Sequence, residues 1–148
     1  MSYEQWDAIA DAYTPALGLL CLLSVLQALL LQDRRLAAIR AMHLSARLLI
    51  AYGLMFLDHA FTIWARAGLD YSTHAAVSLV LVTYLRIHVR KLWVFWDVSL
   101  IMYFVLIVYQ QYHSAGDLLT TTAAAMVSLY VSLSLLKWLA TSHKPDAS

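Results

Sequence analysis

Charged residues are scarce in this 148-residue chain, at 13%, while 62% of it is hydrophobic. A soluble domain of this size carries about 25% charged and roughly 45–50% apolar residues. A water-soluble globule is therefore excluded, and an integral membrane protein is expected. The chain has a single cysteine, Cys21, set in an apolar run, which excludes an internal disulfide. The net charge of +1 lacks the strong basic excess of a nucleic-acid binder, so no nucleic-acid partner is expected. The first residues also lack the basic stretch of a cleavable signal peptide. They carry Glu4, Asp7 and Asp11 instead, and the segment is expected to remain in the mature protein. No repeat or linker divides the chain, which reads as one all-α transmembrane domain over 1–148.

Apolar runs are abundant. A helix needs about 20 residues to cross the ~30 Å hydrocarbon layer, and five stretches suit that length. The first runs from Thr14 to Gln32, opened by a Thr14 cap and Pro15 in the first turn. The others are Met42 to Ala65, Ser72 to His88, Leu92 to Tyr112, and Asp117 to Ala140. Neither Gly nor Pro marks the connection between the third and fourth. Before the first span, Tyr3, Trp6, Ala10 and Tyr13 recur at helical spacing opposite Glu4, Asp7 and Asp11. That pattern predicts a short interfacial helix over 1–13. The tail from His143 to Ser148 is expected to be disordered.

Orientation follows from the basic residues, which favour the cytoplasmic side. Arg34, Arg35 and Arg40 lie between spans one and two, Arg86, Arg90 and Lys91 between spans three and four, and Lys137 and Lys144 at the end. Arg47 enters span two from the same side, and the opposite face has only Arg66. The expected topology is N-terminus outside, C-terminus inside. Trp6 and Trp64 are read as an outer belt, and Trp93, Trp96 and Trp138 as an inner one.

Polar residues at the outer ends of these spans are costly in a membrane and so mark a candidate functional site. His74 opens span three, His113 closes span four and Asp117 opens span five. Asp58, His59 and Arg66 are placed in the outer third of span two, with positions 59, 62 or 63, and 66 on one helical face. Helix N-termini near Ser72 and Asp117 aim free N–H groups at the same region, which suits an anion. Each polar residue also has a plainer role. Ser72 and Asp117 are natural N-caps. Asp58 can tie span two to the bundle through Arg66 or a histidine. Arg66 can anchor the interface beside Trp64. Thr120, Thr121 and Thr122 can bond back to their own helix. Ala123-Ala124-Ala125 suits a close packing face. Asp97 and His43 have no role in this reading.

Ser72-Thr73-His74 resembles the Ser-Gly-His motif of the type 2 phosphatidic acid phosphatase superfamily, and His113-x-x-x-Asp117 resembles its final motif. Asp70-Tyr71 before the serine and Tyr112 near the second histidine look more like the sphingomyelin synthase branch. The resemblance covers about residues 70–125. It implies that His113 is a nucleophile forming a phosphohistidine and that Asp117 holds it. It implies that His74 serves the leaving group and then water or an alcohol. Arg66, Ser72, Asp58, His59 and Tyr71 would bind substrate, with no cofactor and no metal. The partner would be a lipid in a bacterial inner membrane, with the site facing the periplasm. The family's upstream Lys and Arg motif is missing, Ile107 stands where an Arg is expected, Thr73 replaces Gly, and no Pro precedes Ser72. A phosphodiester, with one charge, needs fewer cations than a phosphomonoester. The chain is also about one helix short of the family's six-helix core, which leaves room for a homo-oligomer or a second membrane subunit. Two alternatives stand beside lipid phosphoryl transfer. One is a non-catalytic scaffold or partner subunit of that ancestry. The other is an intramembrane metal site among His59, His74, His113, Asp58 and Asp117.

Overall fold

A computed structural model describes residues 2–142, with side chains through 135. The expected tail disorder at 143–148 and the placements of Lys137, Trp138 and Lys144 lie outside the described side chains. The described residues form six α-helices, one short 3-10 helix (Arg90–Leu92) and no strand; the α-helices are α1 (Tyr3–Leu30), α2 (Arg34–Phe61), α3 (Ile63–Arg66), α4 (Thr73–His88), α5 (Trp93–Tyr109) and α6 (Ala115–Ser142). Four segments are long and apolar enough to cross a membrane: Tyr3–Leu30, Arg34–Phe61, Arg90–Tyr109 and Ala115–Leu135.

The chain enters α1 through Ser2 and Gln5, not through Thr14 and Pro15. The Ser2 hydroxyl accepts from the Gln5 amide at 3.4 Å, and the Gln5 side chain accepts from the Ser2 amide at 2.9 Å. This reciprocal box satisfies two amides that the helix end leaves free. Pro15 lies inside α1. It deletes one amide donor from the ladder, yet the helix continues. The expected separate interfacial helix over 1–13 is thus the first part of one 28-residue rod, about 42 Å long at 1.5 Å per residue.

α2 stops before Ala65 because Thr62 adopts a left-handed conformation, φ 51°. Asp58 Oδ1 accepts from the Trp64 amide at 2.8 Å and so starts the short α3. This break removes the common face expected for positions 59, 62 or 63, and 66.

α4 is the centre of the bundle. Its sequence is apolar nearly all round, the pattern of a wholly buried helix, and ten of its 16 residues are buried. It packs against α1, α2, α5 and α6. Ser72 caps it by accepting from the Ala75 amide at 3.3 Å. Removing that cap with Ser72→Ala is expected to cost about 1 kcal/mol, read as a lower melting temperature in detergent; an unchanged melt would show that the α4 N-terminus needs no side-chain cap. The outer helices carry exposed Leu19, Leu22, Leu23 and Leu26 on α1, and Val98, Ile101, Met102 and Val105 on α5. Water tolerates such continuous apolar surface poorly, whereas lipid accepts it.

At the far end from His74, Asp97 pairs with Arg86 at 3.2 Å, and the His43 and His88 rings meet at 3.3 Å between nitrogens. Both residues left without a role by the sequence thus join helices. Two tryptophans read as belt residues face inward. Trp64 is 8% exposed and Trp96 5%. Trp64 stacks edge-on with Tyr71 and donates to Thr120 Oγ1 at 3.0 Å, and Trp96 donates to the Val89 carbonyl. Ala125 is fully buried against the core, so that part of the alanine run packs within the chain.

Candidate functional site

Ser114-Ala115-Gly116-Asp117 opens α6 as a second reciprocal box. The Asp117 amide donates to Ser114 Oγ at 3.1 Å, and the Ser114 amide donates to Asp117 Oδ2 at 2.8 Å. The cap is therefore Ser114, with Asp117 three positions on. The other Asp117 oxygen, Oδ1, accepts from the Asp70 amide at 2.7 Å. One carboxylate, only 7% exposed, thus clasps the loop before α4 to the start of α6. The clasp also accounts for amide groups that the sequence reading left free for an anion: at α4 the Ser72 hydroxyl takes the Ala75 amide, and Thr121 Oγ1 takes the Ser72 amide at 3.1 Å.

This clasp positions His113. Its Nδ1 lies 3.7 Å from Asp70 Oδ2 and 3.9 Å from Asp117 Oδ2. Nδ1 is buried and has no hydrogen-bond partner. Carboxylates on the Nδ1 side leave Nε2 as the nitrogen free for chemistry. His113 and His74 line one cavity of about 180 Å³ with Asp11, Tyr103 and Tyr112. Ala10 and Ile107 complete its wall. The cavity lies where α1, α4 and α5 meet at the end of the bundle that carries the α5–α6 turn. Tyr112 also donates to Asp7, and Tyr3 donates to the Gln110 carbonyl at 3.4 Å. These contacts fasten α1 to the α5–α6 turn beside the cavity.

The structure brings His74 and His113 together, with Asp117 behind His113. It does not bring the other five expected residues to that cavity. Ser72 is fully buried as a cap. Tyr71 donates to the Ala51 carbonyl at 2.7 Å; burial, with the Asp58 charge adding, raises the affinity of its phenol for its proton and keeps it a donor. Asp58 is committed to the Trp64 amide, and His59 and Arg66 are exposed on α2 and α3. Asp58 makes no ion pair with Arg66 among the described residues. Thr120 does bond back to its own helix, at the Gly116 carbonyl, but Thr121 spends its oxygen on Ser72.

Sequence reasoning missed Asp11, Tyr103 and Ser114, and noted Asp70 only for its resemblance, without a place beside His113. Asp11 had been placed on the polar side of a surface helix. Ser114 carried a readable signal, the Ser-x-x-Asp spacing of a capping box. Among the described residues no three His, Cys, Asp or Glu side chains converge as a metal site requires. No family model, curated protein or solved structure matches this chain.

Proposed function

We propose that the cavity is a phosphoryl-transfer site for a membrane lipid. One observation carries the reading: His74 and His113, from different helices, line the same cavity while carboxylates stand on the Nδ1 side of His113. In this reading His113 Nε2 attacks phosphorus and the bond to the leaving oxygen breaks. His74, protonated, gives that oxygen its proton. Water or an alcohol then attacks the phosphohistidine, gives its proton to His74, and releases His113. Asp117 positions the ring and stabilises its charged form.

Among the described residues the cavity wall holds no Lys or Arg, and it includes the Asp11 carboxylate. A doubly charged phosphomonoester would be repelled there. A singly charged phosphodiester suits it better, which favours headgroup hydrolysis or transfer. The same wall also supports a second reading, a non-catalytic scaffold or partner subunit that kept the helices.

In our reading α4 is a fifth, sheltered crossing, and the basic residues at the His88 end face the cytoplasm. The cavity then faces outward, to the periplasm in a bacterial inner membrane.

The test is release of phosphate or headgroup by the purified protein from a panel of lipid phosphomonoesters and phosphodiesters. Release that survives EDTA, prefers diesters and falls in His74→Ala supports the proposal. Loss in EDTA would point to metal hydrolysis instead. No release by folded protein would favour the scaffold.

A further inference from the structure

We propose that a basic cluster at the junction of α1, α2 and α4, at the end of the bundle opposite the His74 cavity, binds the phosphate group of an anionic ligand. Arg40, His43 and Arg47 recur on one face of α2, at spacings of three and four residues. His88 meets His43 from α4, and Tyr84 stacks on His88 with ring centres 4.4 Å apart. From α1, Ser24 bonds the Tyr84 hydroxyl at 2.7 Å, and its carbonyl accepts from Arg40 Nη1 at 2.5 Å. Arg40, His43 and Arg47 all lie within electrostatic reach of His88.

Arg47 is the anomaly. It is only 6% exposed, within an apolar bundle. Its Nη1 donates to the His43 carbonyl at 3.2 Å, so the guanidinium reaches back toward the turn that carries His43. Its Nε has no acceptor, and neither does Arg40 Nε; both atoms are buried. The ion pairs among the described residues give neither arginine a carboxylate. A buried charge without a partner is costly, and an ionisable residue kept inside a membrane bundle marks a ligand or ion site. Arg40, His43 and His88 are half-exposed around this floor. Free guanidinium donors match phosphate oxygens. Basic pockets between helices at a cytoplasmic face hold anionic lipid headgroups in this manner. The phosphate can come from a lipid headgroup or from solution, and the two sources are separable.

The experiment uses the full chain in nanodiscs of phosphatidylcholine, with and without phosphatidylglycerol. Melting temperature is read, together with the lipid retained in native mass spectrometry. The wild type is expected to melt higher with phosphatidylglycerol and to retain it roughly thirtyfold over phosphatidylcholine, the scale set by two arginines acting on one phosphate. Arg47→Met and Arg40→Gln should each remove most of that preference. Arg90→Gln, exposed at the same end outside the cluster, should keep it. Should Arg47→Met fail to fold, Arg40→Gln and His43→Ala decide. Inorganic phosphate added to phosphatidylcholine discs forms the last arm. A shift there that needs Arg40 and Arg47, without retained phosphatidylglycerol, assigns the site to soluble phosphate. The proposal is overturned by equal retention of both lipids with no phosphate shift, or by equal losses in Arg40→Gln and Arg90→Gln. No arm depends on turnover, so failure here is distinct from failure of the phosphoryl-transfer reading.

Discussion

His113→Ala is expected to lower lipid phosphate or headgroup release at least about a thousandfold, because no other residue at the cavity replaces a nucleophilic nitrogen with carboxylates behind it. Stability should change little by comparison. The His113 ring makes no hydrogen bond through Nδ1, so its removal breaks no partner there. The covalent step of the proposed reaction gives a sharper readout than rate. A substrate labelled in its phosphate, quenched in base during turnover, should leave label on the peptide containing His113, stable in base and lost in acid. His113→Ala should leave none. If the labelled peptide contains His74 instead, the roles of the two histidines are reversed. If folded wild type takes no label and releases nothing, the scaffold reading prevails.

Asp117→Ala is expected to be the most destabilising single change at this end of the bundle, at about 3 kcal/mol. Its carboxylate receives two backbone amides, from Asp70 at 2.7 Å and from Ser114 at 2.8 Å. A hydrogen bond to a charged group is worth about 1.5–3 kcal/mol, and deleting one partner leaves the other unsatisfied. At roughly 2–4 °C per kcal/mol for a chain of this size, the melting temperature should fall by about 6–12 °C. Asp117→Asn keeps one acceptor oxygen and should lose clearly less. Melting followed by tryptophan fluorescence in detergent checks both. An Asp117→Ala melt equal to wild type would mean that the loop before α4 is held by the Ser72–Thr121 and Tyr71–Ala51 contacts without the clasp. The two predictions interlock: Asp117 variants should lower activity partly by misplacing His113, and His113 variants should lower activity without loosening the clasp.

Much of the helical layout was legible because hydropathy and capping chemistry are local. Ser72 was readable as the cap of α4 from its neighbours, and α4 ends at His88 as expected. The boundaries that shifted were set by contacts distant in sequence or by competing caps. Thr14-Pro15 has the composition of a helix start, but the Ser2–Gln5 box lies upstream and the helix runs through the proline. The end of α2 depends on Asp58 turning its carboxylate to the Trp64 amide, a choice that hydropathy does not encode. At the site, the two histidines were found because titratable groups are conspicuous among apolar residues. Arg66, His59 and Asp58 were grouped with them by depth alone, and depth says nothing about the direction a side chain takes around a helix. Asp11 was missed for the same reason. Trp64 and Trp96 are as amphipathic as any belt tryptophan, yet Thr120 and the Val89 carbonyl supply acceptors within the chain for their N–H groups.

α4 has 16 residues, about 24 Å of helix, against a hydrocarbon layer of ~30 Å. As a helix it is shorter than that layer, whereas α1 and α2, with 28 residues each, exceed it. The axle is thus shorter than two of its staves. A helix shorter than the hydrocarbon layer is accommodated by local thinning of the bilayer, which brings water and headgroups toward its ends. His74 lies in the first turn of the axle and His88 ends it; in the reading proposed above, a lipid phosphate would meet either histidine below the headgroup plane while its chains stay among other chains.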